Sequence, residues 1–188
     1  MIKVGITGSI ASGKTTVARI LSGKKYPLFD ADQEVKKIYH TQLFKNKVYK
    51  KFNLSNKKNI KKKIKKIIAK DKKNLKILER IVHPLVRKRM RIFVRKNKNK
   101  KILIFEIPLL VESGLIKKFD KTVFVNSKKI MRLKRYLKKR PKNRKIFSLL
   151  DKRQLLPVKK IKFCDYVINN NNSLKFLKKN VKIIKNNL

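Results

Sequence analysis

The chain has 188 residues, is 41% hydrophobic, and carries 56 Lys and Arg against 10 Asp and Glu, for a formal net charge of +46. That length suits one domain with modest insertions, and the apolar fraction suffices for a core. No apolar run approaches a membrane span, no apolar signal stretch stands at the N-terminus, and the single cysteine, Cys164, excludes an internal disulfide, so a cytoplasmic protein is expected.

Residues 2–7 form an apolar, β-branched run that leads directly into Gly8-Ser9-Ile10-Ala11-Ser12-Gly13-Lys14-Thr15, a G-x-x-x-x-G-K-T pattern. Val17, Ala18, Ile20 and Leu21 then recur at a helical period until Gly23. Strand, glycine-rich loop and helix in that order make a phosphate-binding loop. Gly8 and Gly13 permit backbone angles that let successive N–H groups turn inward around phosphate oxygens at the positive end of a helix. Lys14 is placed to reach the β- and γ-phosphates, and the Thr15 hydroxyl to ligate a bridging Mg²⁺. The expected ligand is a magnesium nucleoside triphosphate.

Residues 26–29 read as a second strand ending in Asp30-Ala31-Asp32, followed by a helix over 33–39. Ligands of open α/β sheets sit beyond the carboxyl ends of strands, so an acidic group here suits a kinase base; helix capping is the other reading. Residues 35–99 have an almost wholly helical pattern and no strand signal, which makes a helical insertion between strands two and three. Within it Pro84 suits the first turn of a new helix over 85–96. From pattern alone, His83 is structural or catalytic and Arg87 is solvated or functional.

Residues 101–107 read as the clearest interior strand, and Pro108 ends it. A short helix or turn follows from Leu109 to Gly114, with Glu112 either solvated or facing the cleft. Residues 122–125 form a further strand. Two basic helices follow, 128–139 with Arg132 and Arg135, and one with Ile146, Leu149, Leu150 and Gln154, separated by a break at Pro141. They read as a mobile lid whose arginines reach phosphates on closure, or as a static amphipathic hairpin. Residues 165–168 are the last strand, and Ser173 caps a C-terminal helix ending near Ile184.

The positive charge alone points to nucleic acid. Its basic residues, however, are mostly lysine, are spread along the chain, and come with abundant asparagine and isoleucine, residues that share A- and T-rich codons. Composition drift explains this better than a nucleic-acid groove, which favours clustered arginine with stacking aromatics. No functional nucleic-acid partner and no membrane partner is expected.

The phosphate loop with Asp30-Ala31-Asp32, the block from Leu78 to Arg87 around His83-Pro84, Pro108-Leu109-Leu110-Val111-Glu112-Ser113-Gly114-Leu115, and Asp165-Tyr166-Val167-Ile168-Asn169-Asn170 together resemble the dephospho-coenzyme A kinase family in order and spacing over nearly the whole chain. The resemblance implies an α/β fold of the P-loop NTPase type, a three-layer αβα arrangement with a five-stranded parallel sheet, a helical substrate-binding insertion and a helical lid. It implies a single domain, with its core at about 1–32, 100–127 and 164–188, an acceptor-binding insertion at about 33–99 and a lid at about 128–163. The implied reaction is phosphoryl transfer from ATP to the ribose 3′-hydroxyl of dephospho-CoA, with Mg²⁺ as cofactor. The implied base is Asp32, with Lys14 and Arg135 stabilising charge. Gly8, Ile10, Ala11, Ser12, Gly13, Lys14, Thr15 and Thr16 would bind ATP, Thr15 the metal, and Thr7, Asp32, His83 and Arg87 the acceptor. Either Lys139 or Arg140 would be the second lid cation. The family usually has glycine where this chain has Ser9 and Ala11. The partners are ATP and dephospho-CoA, and the protein a monomer or small homo-oligomer. Two alternatives share the loop: a nucleoside monophosphate kinase of the same fold, and a nucleic-acid-binding P-loop module.

Overall fold

The computed structural model describes residues 1–23, 25–54, 59–71, 73–139, 141 and 143–188. The expectation for Arg140 therefore lies outside the described residues. The described residues divide into two compact units, 1–30 with 97–188, and 31–96.

The first unit is built on five parallel strands in the order β2-β3-β1-β4-β5. They are β1 (Ile2–Gly8), β2 (Leu28–Asp30), β3 (Ile102–Glu106), β4 (Lys121–Asn126) and β5 (Tyr166–Asn169). A parallel sheet buries both faces, and the strands accordingly read as continuous apolar runs rather than alternating ones. β3 is buried at every position. On one face Val4, Ile6, Ile102, Ile104, Val123, Val125 and Ile168 pack against Val17, Ala18 and Leu21 of α1 (Lys14–Ser22) and Leu177, Val181 and Ile184 of α9 (Leu174–Asn186). The opposite face stacks Phe105 between Phe29 and Phe119, with ring centroids 5.7 and 5.2 Å apart. The five-stranded parallel sheet that the resemblance implies is borne out.

Strand two begins and ends one or two residues later than expected. Pro27 has no N–H for the ladder, so it contributes only its carbonyl, which accepts from Ile104 N at 2.9 Å. The edge strand proper is Leu28–Asp30, and α2 (Ala31–Ile38) starts at once. Asp32 consequently lies in the first turn of α2 rather than before the helix.

After β3 the chain makes turns and a 3₁₀ segment, Leu115–Lys118, before β4. α6 (Lys129–Lys139) and α7 (Arg144–Lys152) match the two basic helices except that α7 ends before Gln154, which was expected on it, and α8 (Pro157–Ile161) is an additional short one with proline in its first turn. Ser173 caps α9, its side chain accepting from Phe176 N.

The second unit is helical throughout its described elements: α2, α3 (Gln42–Phe52), α4 (Ile60–Lys70) and α5 (Lys73–Lys96). Its core joins Ile38, Phe44, Val48, Ile60, Ile64, Leu78 and Val82. The break expected at Pro84 does not occur, because Pro84 lies inside the continuous α5. An interior proline costs about 3 kcal/mol. Here Leu78, Val82, Leu85 and Val86 stay on one stripe against that core, and keeping the stripe continuous offsets the cost.

Candidate active site

The carboxyl edge of the sheet gathers the chemistry of the first unit. Gly8 closes β1 at φ +153, and a Cβ there would stand 2.5 Å from the Val125 carbonyl oxygen. Gly13 adopts φ +100, where a Cβ would stand 2.2 Å from Asn170 Nδ2. These two glycines are required by close approach as well as by dihedral angle. α1 then starts at Lys14, capped by Gly13, with no carboxylate in its first turn. No acidic side chain in that turn opposes the positive end of the helix dipole, which favours an anion there.

Lys14 is buried and folds over the loop, its Nζ donating to the Gly8 and Ser9 carbonyls at 3.1 and 2.9 Å. This holds the ammonium beside the mouth of the loop. Thr15 Oγ1 donates to Glu106 Oε1 at 2.7 Å. Glu106 is 4% exposed, ends β3, and lies in register with Ile6 of β1 and Asp30 of β2. The sequence reading gave Glu106 no role. Its signal was one carboxylate in an otherwise apolar interior strand, an arrangement that the burial cost of a carboxylate makes expensive unless it is used.

Thr7 is buried, and its hydroxyl donates to the Pro108 carbonyl at 3.0 Å, joining β1 to the turn after β3. Ile10 N–H donates to Gln154 Oε1 at 2.8 Å. Thr16 is exposed on the first turn of α1, while Ser12, within the loop, is buried.

Arg135 lies under the loop. Its guanidinium donates to Ser127 Oγ at 3.1 Å, the Asn170 carbonyl at 2.9 Å and the Ser12 carbonyl at 3.4 Å. Partial burial pulls it below the ordinary arginine value. Asn170 completes the support, its Nδ2 donating to the Ser12 carbonyl at 2.8 Å. Asn170 directly follows β5.

Glu112 is neither solvated nor directed into a cleft. Its Oε1 lies 2.6 Å from Lys160 Nζ and accepts from Leu155 N at 3.1 Å, so it braces the segment between α7 and α8. Asp151 of α7 pairs with Arg132 of α6. The described residues of α6, α7 and α8 are thus tied to each other and to the turns that follow β3 and β4.

Asp32, His83 and Arg87 belong to the second unit. All three are exposed. His83 and Arg87 stand four residues apart, hence one above the other on α5. α2, which carries Asp32, packs along α5, with Glu34 Oε2 4.0 Å from Arg89 Nε. The structure brings together Thr7, the phosphate loop, Lys14, Thr15 and Arg135 in one unit, and places Asp32, His83 and Arg87 on two packed helices of the other.

A cation that fits beside Thr15 and Glu106 is a hard one, since both offer oxygen alone; Mg²⁺ suits such a pair because it takes few protein ligands and keeps waters and phosphate oxygens.

Four similarities bear on this geometry. The family model for dephospho-CoA kinase matches residues 2–175. A dephospho-CoA kinase of Fusobacterium nucleatum is 36% identical over 182 residues, covering 95% of this chain and 94% of that protein. Among solved structures, a Thermus thermophilus protein aligns with TM-score 0.82 at 27% identity over 100% of this chain and 97% of that one. A dephospho-CoA kinase from Campylobacter jejuni aligns with TM-score 0.70 at 27% identity over 99% and 98%.

Proposed function

Because the chain belongs to the dephospho-CoA kinase family, we propose that its phosphate loop, the Thr15–Glu106 pair and Asp32 carry out the chemistry of that family. The activity is ATP-dependent phosphorylation of the ribose 3′-hydroxyl of dephospho-CoA, giving coenzyme A and ADP, the last step of coenzyme A biosynthesis. The observation that carries the site assignment is the 2.7 Å contact between Thr15 Oγ1 and Glu106 Oε1 at the mouth of a loop whose Lys14 is already folded inward.

Phosphoryl transfer asks the protein for positioning and charge stabilisation rather than covalent chemistry. The loop N–H groups and the α1 N-terminus bind the phosphates, and Lys14 neutralises charge on the β- and γ-oxygens. Thr15 and Glu106 would hold Mg²⁺, which when bound neutralises charge that develops on the phosphate oxygens. Asp32 orients the acceptor hydroxyl and takes its proton, while Thr7, His83 and Arg87 bind the acceptor. Arg135 stabilises the transferring phosphoryl once its bonds to Ser12 and Asn170 are exchanged for phosphate oxygens. Residues 128–163 act as the lid and 33–99 as the acceptor-binding insertion.

A coupled ADP-release assay with MgATP tests this, with dephospho-CoA, AMP, CMP, shikimate or poly(dT) as second component. Release with dephospho-CoA alone is expected. Release driven by a nucleoside monophosphate or poly(dT) instead overturns the acceptor assignment and leaves only the nucleotide site.

A further inference from the structure

Ile10 lies at the crest of the phosphate loop, and both polar atoms of its backbone are held by side chains from far along the chain. Its N–H donates to Gln154 Oε1 at 2.8 Å, and its carbonyl accepts from Arg132 Nη1 at 3.4 Å. The peptides on either side of Ile10 are therefore each fixed, the first through its N–H and the second through its C=O.

Neither clamp is a loose surface side chain. Arg132 is 4% exposed, its Nε donates to the Ser127 carbonyl at 3.1 Å, and its Nη1 pairs with Asp151. Gln154 follows α7, where its own N–H donates to the Asp151 carbonyl at 3.2 Å. The next N–H, that of Leu155, donates to Glu112, which is paired with the fully buried Lys160. The carboxamide is delivered from a corner braced on both sides.

The neighbour of Ile10 gives the clamp a purpose. Ala11 stands at φ +57, in the left-handed region that disfavours any side chain with a Cβ. Rotation of the Ile10–Ala11 peptide would return Ala11 to a relaxed conformation and turn loop N–H groups away from the phosphates. Holding both peptides around Ile10 opposes that rotation.

We propose that Gln154 is a positioning residue for the nucleotide: with Arg132, it holds the phosphate loop in its binding conformation against the strain at Ala11. This rests on the phosphate-loop reading above. The Gln154 bond is kept when phosphate binds, because its partner is part of the frame of the loop.

The test measures MgATP affinity by calorimetry, together with kcat, both KM values and Tm, for the full chain, Gln154→Ala, Ala11→Gly and the double variant. Loss of one neutral hydrogen bond predicts that Gln154→Ala raises Kd and KM for MgATP by about threefold to tenfold. The KM for dephospho-CoA and Tm are expected to stay near those of the parent chain, a split that general destabilisation does not produce. In the Gln154→Ala background, Ala11→Gly is expected to recover most of the lost affinity, since glycine carries no penalty at that angle. Unchanged MgATP affinity in Gln154→Ala overturns the inference. So does tighter binding, which would make the carboxamide a competitor of the phosphates, and so does a loss that Ala11→Gly fails to repair. If the parent chain itself binds no MgATP, the phosphate-loop reading fails first and is recognised as the failure.

Discussion

Thr15 and Glu106 are 91 residues apart in sequence, yet their side-chain oxygens meet at 2.7 Å across the carboxyl edge of the sheet. The relationship follows from the register of β1 with β3, which sets Glu106 opposite Ile6, two residues before the loop opens at Gly8. On the proposed reading, in which the Thr15 hydroxyl ligates Mg²⁺, the buried Glu106 carboxylate beside it would set where the cation sits. Glu106→Gln keeps the shape and removes the charge, so kcat is expected to fall on the order of 10²-fold, with half-saturation shifted to higher Mg²⁺. Steady-state rates across a magnesium titration check this; a parental magnesium curve removes Glu106 from the metal site.

Lys14 and Asp32 make a separable pair of predictions. Lys14→Ala and Asp32→Asn are each expected to lower kcat at least about 10²-fold, the scale of one positioned charge or base. They differ in binding: Lys14→Ala weakens MgATP affinity, whereas Asp32→Asn leaves it near that of the parent chain. Near-normal turnover by Asp32→Asn would end the base assignment.

The phosphate loop was legible in the sequence because it is local. Its glycines, lysine and threonine are adjacent in the chain, and strand and helix signals flank them. Glu106, Gln154 and Asn170 were not assigned, because each acts through register or long-range contact with the loop, over 91, 144 and 158 residues in their bonds to Thr15, Ile10 and Ser12. Pro84 misled for the converse reason. A local rule ended the helix there, while the apolar stripe through Leu78, Val82 and the half-buried Leu85, which only tertiary packing reveals as core-facing, kept it whole. Asp32 was expected ahead of the helix that follows strand two; it lies instead in the first turn of α2, because Pro27 starts the strand late.

The net charge of +46 governs solution behaviour. Like charges repel throughout the folded chain, and salt at physiological ionic strength screens those more than about 8 Å apart. The midpoint of thermal unfolding is expected to rise as NaCl goes from low to physiological concentration. Over the same range, affinity for random DNA is expected to fall steeply, as counterion release requires. Sub-micromolar DNA binding that persists at physiological salt refutes the view that the charge is compositional drift.

Burial pushes the Cys164 thiol from 9.0 up to about 11, with the Asp165 charge adding to the shift and the Thr122 bond and Lys160 opposing it. A folded value above the unfolded one means that the neutral thiol is favoured by folding. The contribution to stability is complete below the unfolded value and is lost as pH rises from about 9 toward about 11. At pH 8 the thiol is expected to react slowly with a disulfide reagent, and denaturant to accelerate it at least about tenfold, following the thiolate fraction and access. Equal rates in the folded and unfolded chain contradict the shift.

Lys160 is fully buried and its ammonium lies 2.6 Å from Glu112 Oε1, whose side chain is 16% exposed. Such a pair contributes little relative to an apolar replacement, because two desolvation costs offset the attraction, yet removing one partner strands the other. Glu112→Gln leaves the lysine charge buried, and is expected to cost on the order of 3 kcal/mol in denaturant unfolding. The same change weakens the acceptor for Leu155 N–H, next to Gln154, so it should also raise the KM for MgATP. Combining Glu112→Leu with Lys160→Met removes both charges and should recover most of the stability without restoring the brace on residue 155. Stability and MgATP affinity then part: the double variant unfolds near the parent midpoint but binds nucleotide as weakly as Glu112→Gln. Recovery of both together would show that Glu112 acts on the phosphate loop only through stability.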